Sequence, residues 1–140
     1  MSGMDKPKVL VVEDDPRIRA SVRRALAYEG YRASEADDGE SALIAVRDDP
    51  PDLILLDLNL PGIDGREVLR QAKGDAALRH IPVVVLTTSE AEEDIFRSYN
   101  LGANCYLTKP LSLGEFSTLV QSIQDFWFSI VKLPKYARPR

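Results

Sequence analysis

Short apolar runs alternate along this chain with stretches in which apolar side chains recur at helical spacing. The runs lie at 8–12, 53–56, 81–86 and 103–107, and the less apolar segment 31–36 also suits a strand. The first run is continuous rather than alternating in polarity, as is typical of strands covered on both faces. Strands that alternate with helices require right-handed crossovers and a parallel sheet. The pattern therefore predicts an α/β fold with five parallel strands.

Helices are expected after each strand. Asp15 is typical of an N-cap and Pro16 of the first helical position, and Gly30 is expected to end this helix. The remaining helices are expected at 41–47, around Val68, Leu69 and Ala72, at 90–99, and from Ser112 with an apolar stripe that reaches Ile130. Five such units predict a doubly wound sheet of the flavodoxin-like order 2-1-3-4-5, followed by an extended C-terminal helix.

The length of the chain favours one domain. A chain of 140 residues buries roughly two thirds of its unfolded surface. We expect a domain at 1–133, with its core at 7–130 and a tail at 134–140, and no output domain. The net charge of −4 disfavours a nucleic-acid partner, and no apolar run approaches membrane-spanning length. A single cysteine, Cys105, and the lack of an apolar leader favour a cytoplasmic location.

Acidic side chains follow two of the expected strands. Glu13 and Asp14 come after the first strand, and Asp57 comes directly after the third. Open α/β sheets bind their ligands at the carboxyl ends of the strands, so we expect these three carboxylates to lie close together. Three close carboxylates repel one another unless a cation or a proton neutralises them. Hard oxygen ligands beside open water positions suit Mg²⁺.

Asp57 is the candidate nucleophile of this site. A carboxylate can attack a phosphoryl group and form an acyl phosphate when a metal and cationic donors offset the charge. Lys109 is the candidate cation, and Thr87, at the end of the fourth strand, offers a hydroxyl for a phosphoryl oxygen. Either residue alone would more simply be a surface lysine or a strand-end threonine. Together at one edge they indicate a phosphoryl site.

Four blocks of sequence occur in the order and at the spacing of a known family. They are Val-Val-Glu-Asp-Asp at 11–15, Leu-Leu-Asp-Leu-Asn-Leu-Pro-Gly-Ile-Asp-Gly at 55–65, Val-Leu-Thr-Thr at 85–88, and Gly-Ala-Asn-Cys-Tyr-Leu-Thr-Lys-Pro at 102–110. With these blocks the chain resembles the CheY-like receiver domains of two-component response regulators over 7–130. The resemblance implies a signalling protein that takes part in its own phosphoryl transfer and autodephosphorylation, and not an enzyme.

The resemblance implies a role for each of the three carboxylates and for nearby residues. Asp57 would accept the phosphoryl group from the phosphohistidine of a sensor histidine kinase. Asp14 would bind Mg²⁺ directly, Glu13 mostly through water, and Asn59 through its backbone carbonyl. By the same resemblance, Asn59 and Ser89 occupy the positions that tune water attack on the acyl phosphate in this family.

The resemblance also implies a switch. Thr87 and Lys109 would hold the phosphoryl oxygens, and the small Thr88 would leave Asp57 accessible. Movement of Thr87 toward the phosphoryl group would open space into which Tyr106 turns, so that phosphorylation shifts a two-state equilibrium. The alternative for Tyr106 is simple packing in an edge strand.

The end of the chain carries more apolar side chains than one sheet face can cover. They are Phe126, Trp127, Phe128, Ile130, Val131 and Leu133. This surplus favours a homodimer or another partner contact through the C-terminal helix region. The alternative is that the segment folds back on its own domain. The ending also resembles that of single-domain regulators paired with bacterial and cyanobacterial phytochromes.

Three other functions are alternatives to a stand-alone regulator. A phosphorelay intermediate would pass the phosphoryl group on to a histidine phosphotransfer protein. A phosphatase of the haloacid-dehalogenase type needs a second aspartate two residues after the nucleophile, where this chain has Asn59. A flavin carrier needs a phosphate loop after the first strand, where Glu13 and Asp14 would repel the phosphate.

Overall fold

Five parallel strands form one sheet in the part of the chain that the computed structural model describes, namely residues 7–87, 105–108 and Gln121. The strands are β1 (Lys8–Val12), β2 (Arg32–Ala36), β3 (Leu53–Leu56), β4 (Val83–Thr87) and β5 (Cys105–Thr108). Their order is β2-β1-β3-β4-β5, and every neighbouring pair is parallel. The predicted strand order is therefore confirmed.

Three helices connect these strands within the described residues. They are α1 (Pro16–Tyr28), α2 (Gly39–Asp48) and α3 (Gly65–Gly74). An aspartate caps each helix by accepting a backbone hydrogen bond, and Asp15 caps α1 as predicted. The helices predicted at 90–99 and from Ser112, with its C-terminal extension, lie outside the described residues. Among the described helices, none has the length and apolarity needed to cross a bilayer.

The helices cover both faces of the sheet, because alternate strand residues point to opposite sides. Side chains such as Val9 and Val11 join Val22 and Leu26 of α1 in one buried cluster. The other face carries a second cluster, made by β1 and β3 with α2 and α3: Leu10, Val12, Ile54, Leu56, Leu43, Val46, Val68 and Leu69. Strands covered on both sides explain the continuous apolar runs, and the doubly wound arrangement is confirmed.

Several element boundaries differ from the sequence-based expectation by one or two residues. Helix α2 begins at Gly39 rather than at 41, because the Asp38 carboxylate accepts a 2.7 Å hydrogen bond from the amide of Ser41. Strand β2 begins after Tyr31, whose amide still donates to the carbonyl of Leu26 in α1. Strand β4 begins at 83 rather than at 81, and β5, expected over 103–107, extends to 108.

Candidate functional site

Glu13, Asp14 and Asp57 form an acidic cluster at the carboxyl edge of the sheet. A carboxylate oxygen of each lies within 4.8 Å of the other two. The cluster forms because Val12 and Leu56 are partners in the β1–β3 register, which places the residues after them side by side. The sequence-based expectation that these three carboxylates meet is therefore correct.

The backbone around Asp57 is fixed on both sides. Its amide donates a 3.0 Å hydrogen bond to the carbonyl of Val12, which extends the β1–β3 pairing one residue past β3. The amide of Asn59 donates to Asp57 Oδ1 at 3.1 Å. Helix α3 starts against this turn at Gly65, where a Cβ would collide with the carbonyl oxygen of Asp57 and lie 2.6 Å from Cα of Leu58. The carboxylate thus projects from a tightly packed turn.

Glu13 is held through its backbone and its side chain. Its amide donates to the carbonyl of Ala36 at 3.0 Å, and its own carbonyl accepts a 2.8 Å hydrogen bond from Nη1 of Arg19. The Oε2 atom of Glu13 accepts a 3.1 Å hydrogen bond from the amide of Asp15. Residues of β2, α1 and the connecting loop therefore all contribute to the position of Glu13.

Sequence reasoning missed the contribution of Arg19 and its partner Glu35. The Nε atom of Arg19 donates to Glu35 Oε1 at 2.9 Å, and Nη1 of Arg23 lies 3.2 Å from Glu35 Oε2. Glu35 belongs to β2, sixteen residues away in sequence. No local pattern links these residues, because the contact depends on how α1 packs across two strands. The signal in the sequence was that α1 contains four arginines and no acidic residue, so its arginines need acidic partners from other elements.

The cluster fits a divalent cation. Glu13 and Asp57 each expose only 4% of their surface, whereas Asp14 is exposed to solvent. Carboxylates this close repel one another unless positive charge offsets them, and oxygen ligands open to water on one side suit hard divalent ions. Glu13, Asp14 and Asp57 would hold such an ion. The backbone carbonyl of Asn59 stays a predicted ligand.

Beneath the two buried carboxylates, the floor of the site is apolar. A cavity of about 10 Å³ lies there, lined by Val11, Val12, Glu13, Val22, Leu55, Asp57 and Leu86. This volume is at the lower limit for one water molecule, and the lining offers few polar partners for it. On the solvent side of the cluster, Asp14 is exposed.

The other predicted site residues lie mostly beyond the described part of the chain. Thr87 ends β4, and its backbone pairs with Thr108 at the end of β5, directly before Lys109 in sequence. This register brings the chain at 87 and 108 to the same edge of the sheet as Asp57. Outside the described residues lie the side chains of Thr87 and Tyr106, the residues Thr88, Ser89 and Lys109, and the apolar set Phe126, Trp127, Phe128, Ile130, Val131 and Leu133.

Comparison with known proteins gives relatives over most of the chain. Response regulator Rcp1 of Synechocystis sp. is 56% identical over 84 residues, which are 60% of this chain and 57% of Rcp1. The probable methanogenesis regulatory protein FilR2 of Methanothrix harundinacea is 39% identical over 134 residues, which are 90% of this chain and 86% of FilR2. The match thus spans less than two thirds of Rcp1 but most of FilR2.

Solved structures of similar fold include two related regulators. The phosphorylated cyanobacterial phytochrome response regulator RcpA superimposes with a TM-score of 0.85 at 42% identity, covering 93% of this chain and 99% of RcpA. The Mn²⁺-bound form of Rcp1 gives a TM-score of 0.82 at 41% identity, covering 91% and 99% of the respective chains. The family model of the response regulator receiver domain matches residues 9–121. With its sheet order and its acidic edge, this chain belongs to the response regulator receiver domain family.

Proposed function

We propose that Asp57 accepts a phosphoryl group from the phosphohistidine of a sensor histidine kinase. A carboxylate oxygen of Asp57 attacks the phosphorus, the bond from phosphorus to the imidazole nitrogen breaks, and the histidine keeps that electron pair. An acyl phosphate remains on Asp57. The observation that carries this proposal is the cluster of Glu13, Asp14 and Asp57, with Asp57 held directly after β3.

A divalent cation is part of the proposal, and we take Mg²⁺ as the physiological ion. When bound, it would offset the charge of the carboxylates and of the incoming phosphoryl oxygens. Glu13 and Asp14 would hold it through their carboxylates, and Asn59 would add its carbonyl oxygen. The Mn²⁺-bound form of the relative Rcp1 supports a divalent ion in this family.

Thr87, Lys109 and Tyr106 complete the proposed reaction and its output. Lys109 would offset charge on the phosphoryl oxygens, and the Thr87 hydroxyl would donate a hydrogen bond to one of them. The β4–β5 register supports this, because Thr87 pairs with Thr108 and Lys109 follows at once. Movement of Thr87 would then change the orientation of Tyr106 and the surface around it.

The partners in this proposal are a kinase and a second copy of the chain. RcpA is described as a cyanobacterial phytochrome response regulator, which supports a phytochrome-type kinase as the donor. The chain would act as a cytoplasmic signalling protein on no separate substrate. Its homodimer would form through the apolar set at 126–133, and light scattering of the full chain and of a chain trimmed after 125 tests this. A full chain that stays monomeric at all concentrations would refute the dimer.

Intact-protein mass spectrometry tests the phosphoacceptor. The full chain is incubated with Mg²⁺ and the small phosphodonor acetyl phosphate, and we expect one labile phosphoryl group. Asp57→Asn should abolish the mass gain. Asp15→Asn is the matched control, since it removes a neighbouring carboxylate while asparagine keeps the helix cap. No mass gain, or a gain that survives Asp57→Asn, would refute the proposal.

Transfer from phosphorylated kinases tests the proposed donor. A phytochrome-type histidine kinase should lose its label to this chain within seconds to minutes, and much faster than unrelated kinases of the same source do. Equal rates for all kinases would contradict the phytochrome assignment. Rapid loss of the label from this chain to a histidine phosphotransfer protein would instead show a relay intermediate.

A further inference from the structure

Arg19 joins the cation site to β2 and α1 at the same time. Its Nη1 atom donates to the carbonyl of Glu13 at 2.8 Å, and its Nε atom donates to Glu35 Oε1 at 2.9 Å. The arginine side chain is 19% exposed, so most of its surface is withdrawn from water. A planar guanidinium with two fixed partners holds both of them in a defined orientation. The peptide that links Glu13 to Asp14 is therefore held by a side chain that is itself anchored.

Further hydrogen bonds hold the groups on either side of the peptide between Glu13 and Asp14. The Glu13 amide is paired with Ala36, and the Glu13 carboxylate accepts from the amide of Asp15. Rotation of the Glu13–Asp14 peptide would move the exposed carboxylate of Asp14 relative to Asp57. The hydrogen bond from Arg19 opposes this rotation, because it fixes the carbonyl oxygen of that peptide.

We propose that Arg19 is a positioning residue of the cation site. It fixes the Glu13 carbonyl and so presents the carboxylates of Glu13 and Asp14 in one geometry before an ion binds. Glu35 keeps the guanidinium in place and offsets its charge. The inference rests on the proposed function, because it requires that the acidic cluster binds a divalent cation.

Loss of the Arg19 charge and loss of the fixed Glu13–Asp14 peptide should change cation affinity in opposite directions. A variant that only lost the guanidinium charge would leave the site more negative, and it would bind a divalent cation more tightly. A variant that lost the fixed peptide would bind the cation more weakly, since outer partners of metal ligands typically contribute about 10–100-fold to affinity. The direction of the change therefore separates positioning from electrostatics.

The experiment measures Mn²⁺ affinity of the full chain by electron paramagnetic resonance of the free ion. Arg19→Met should weaken binding about 10-fold. Arg23→Met is the matched control, because Arg23 pairs with the other Glu35 oxygen one turn further along α1. This substitution also removes a guanidinium that pairs with Glu35, and it should leave the Mn²⁺ affinity unchanged or slightly raised.

Each outcome decides the proposal. Equal affinities in the two variants, or tighter binding by Arg19→Met, would overturn the positioning role. If Arg19→Met does not fold, Arg19→Lys is compared with Arg23→Lys: an ammonium lacks the guanidinium fork, so weaker binding by Arg19→Lys supports the role and equal binding overturns it. A wild-type chain that binds no Mn²⁺ would overturn the proposed function as well.

Discussion

The amide of Asp57 donates a 3.0 Å hydrogen bond to the carbonyl of Val12. This bond continues the β1–β3 ladder one residue beyond its last pair, Val12 and Leu56. Asp57 is thereby held beside Glu13, which follows Val12 in the neighbouring strand. A nucleophilic carboxylate and a metal-binding carboxylate are brought together by the backbone pairing of two buried strands.

Asp57→Asn should stabilise the metal-free protein. The change removes one of three carboxylates within 4.8 Å of one another, and the amide oxygen can still accept the hydrogen bond from Asn59. We expect a gain of about 1–2 kcal/mol in unfolding free energy, since like charges at this separation repel by this order or more. Chemical denaturation in the presence of a chelator measures it.

Two controls test the stability gain expected for Asp57→Asn: addition of a divalent cation, and the same substitution at another aspartate. Saturating Mn²⁺ should cancel or reverse the gain, because Asp57 is then a ligand. Asp75→Asn, at the end of α3, should change stability little, since its hydrogen bond from Ala77 is preserved. A metal-free Asp57→Asn chain that is less stable than wild type would contradict the repulsion argument.

Gly65→Ala should destabilise the fold and slow phosphorylation. A Cβ at this position would collide with the carbonyl of Asp57 and come within 2.6 Å of Leu58 Cα, so the turn that carries the nucleophile must shift. Overpacking of this kind costs about 1–3 kcal/mol. Gly74→Ala, at the other end of the same helix, meets no atom within 4 Å and should be neutral or stabilising. Equal effects of the two substitutions would contradict the packing argument.

Leu69→Ala should show how much stability the α3 packing provides. Leu69 is fully buried in the cluster between α3 and the sheet, and its truncation leaves a cavity. We expect a loss of about 2–5 kcal/mol in unfolding free energy by chemical denaturation. Ile44→Ala on α2 removes a side chain that is 57% exposed, and it should cost at most about 0.5 kcal/mol. Similar losses for both would argue against this core assignment.

The stability contributed by Glu67 should depend on pH. Hydrogen bonds from Arg70, and then from Gln71, lower the pKa of Glu67 from 4.5 to about 2. Because the folded pKa is the lower one, this contribution is fully present above pH 4.5 and is lost as the pH falls toward 2. The pair is exposed to solvent, so the effect is small.

Thermal unfolding at pH 7 and at pH 3 measures this dependence. Glu67→Gln should lower the melting temperature slightly at pH 7 and less at pH 3. Arg70→Met should reproduce the same pH dependence, because Arg70 provides the largest part of the pKa shift. If the melting temperatures of the variants differ from wild type by the same amount at both pH values, the pH-dependent contribution of Glu67 is contradicted.

Much of the architecture was accessible from local sequence signals. The bounds of β1 and β3 match those expected from the apolar runs, and Asp15 caps α1 as its position before Pro16 indicated. Two of the boundaries that moved did so because of specific hydrogen bonds. The start of α2 depends on the Asp38 side chain, and the start of β2 on the hydrogen bond from Tyr31 to Leu26.

The candidate site divides in the same way between local and long-range determinants. The sequence by itself determined the fold class and placed Glu13, Asp14 and Asp57 at strand ends, because periodicity and strand termination are read from adjacent residues. Only the tertiary structure decided that Arg19 holds the Glu13 carbonyl, that Glu35 holds Arg19, and that Gly65 packs on the Asp57 turn. Those contacts depend on the strand register and on how the helices cross the sheet, and no local pattern encodes either.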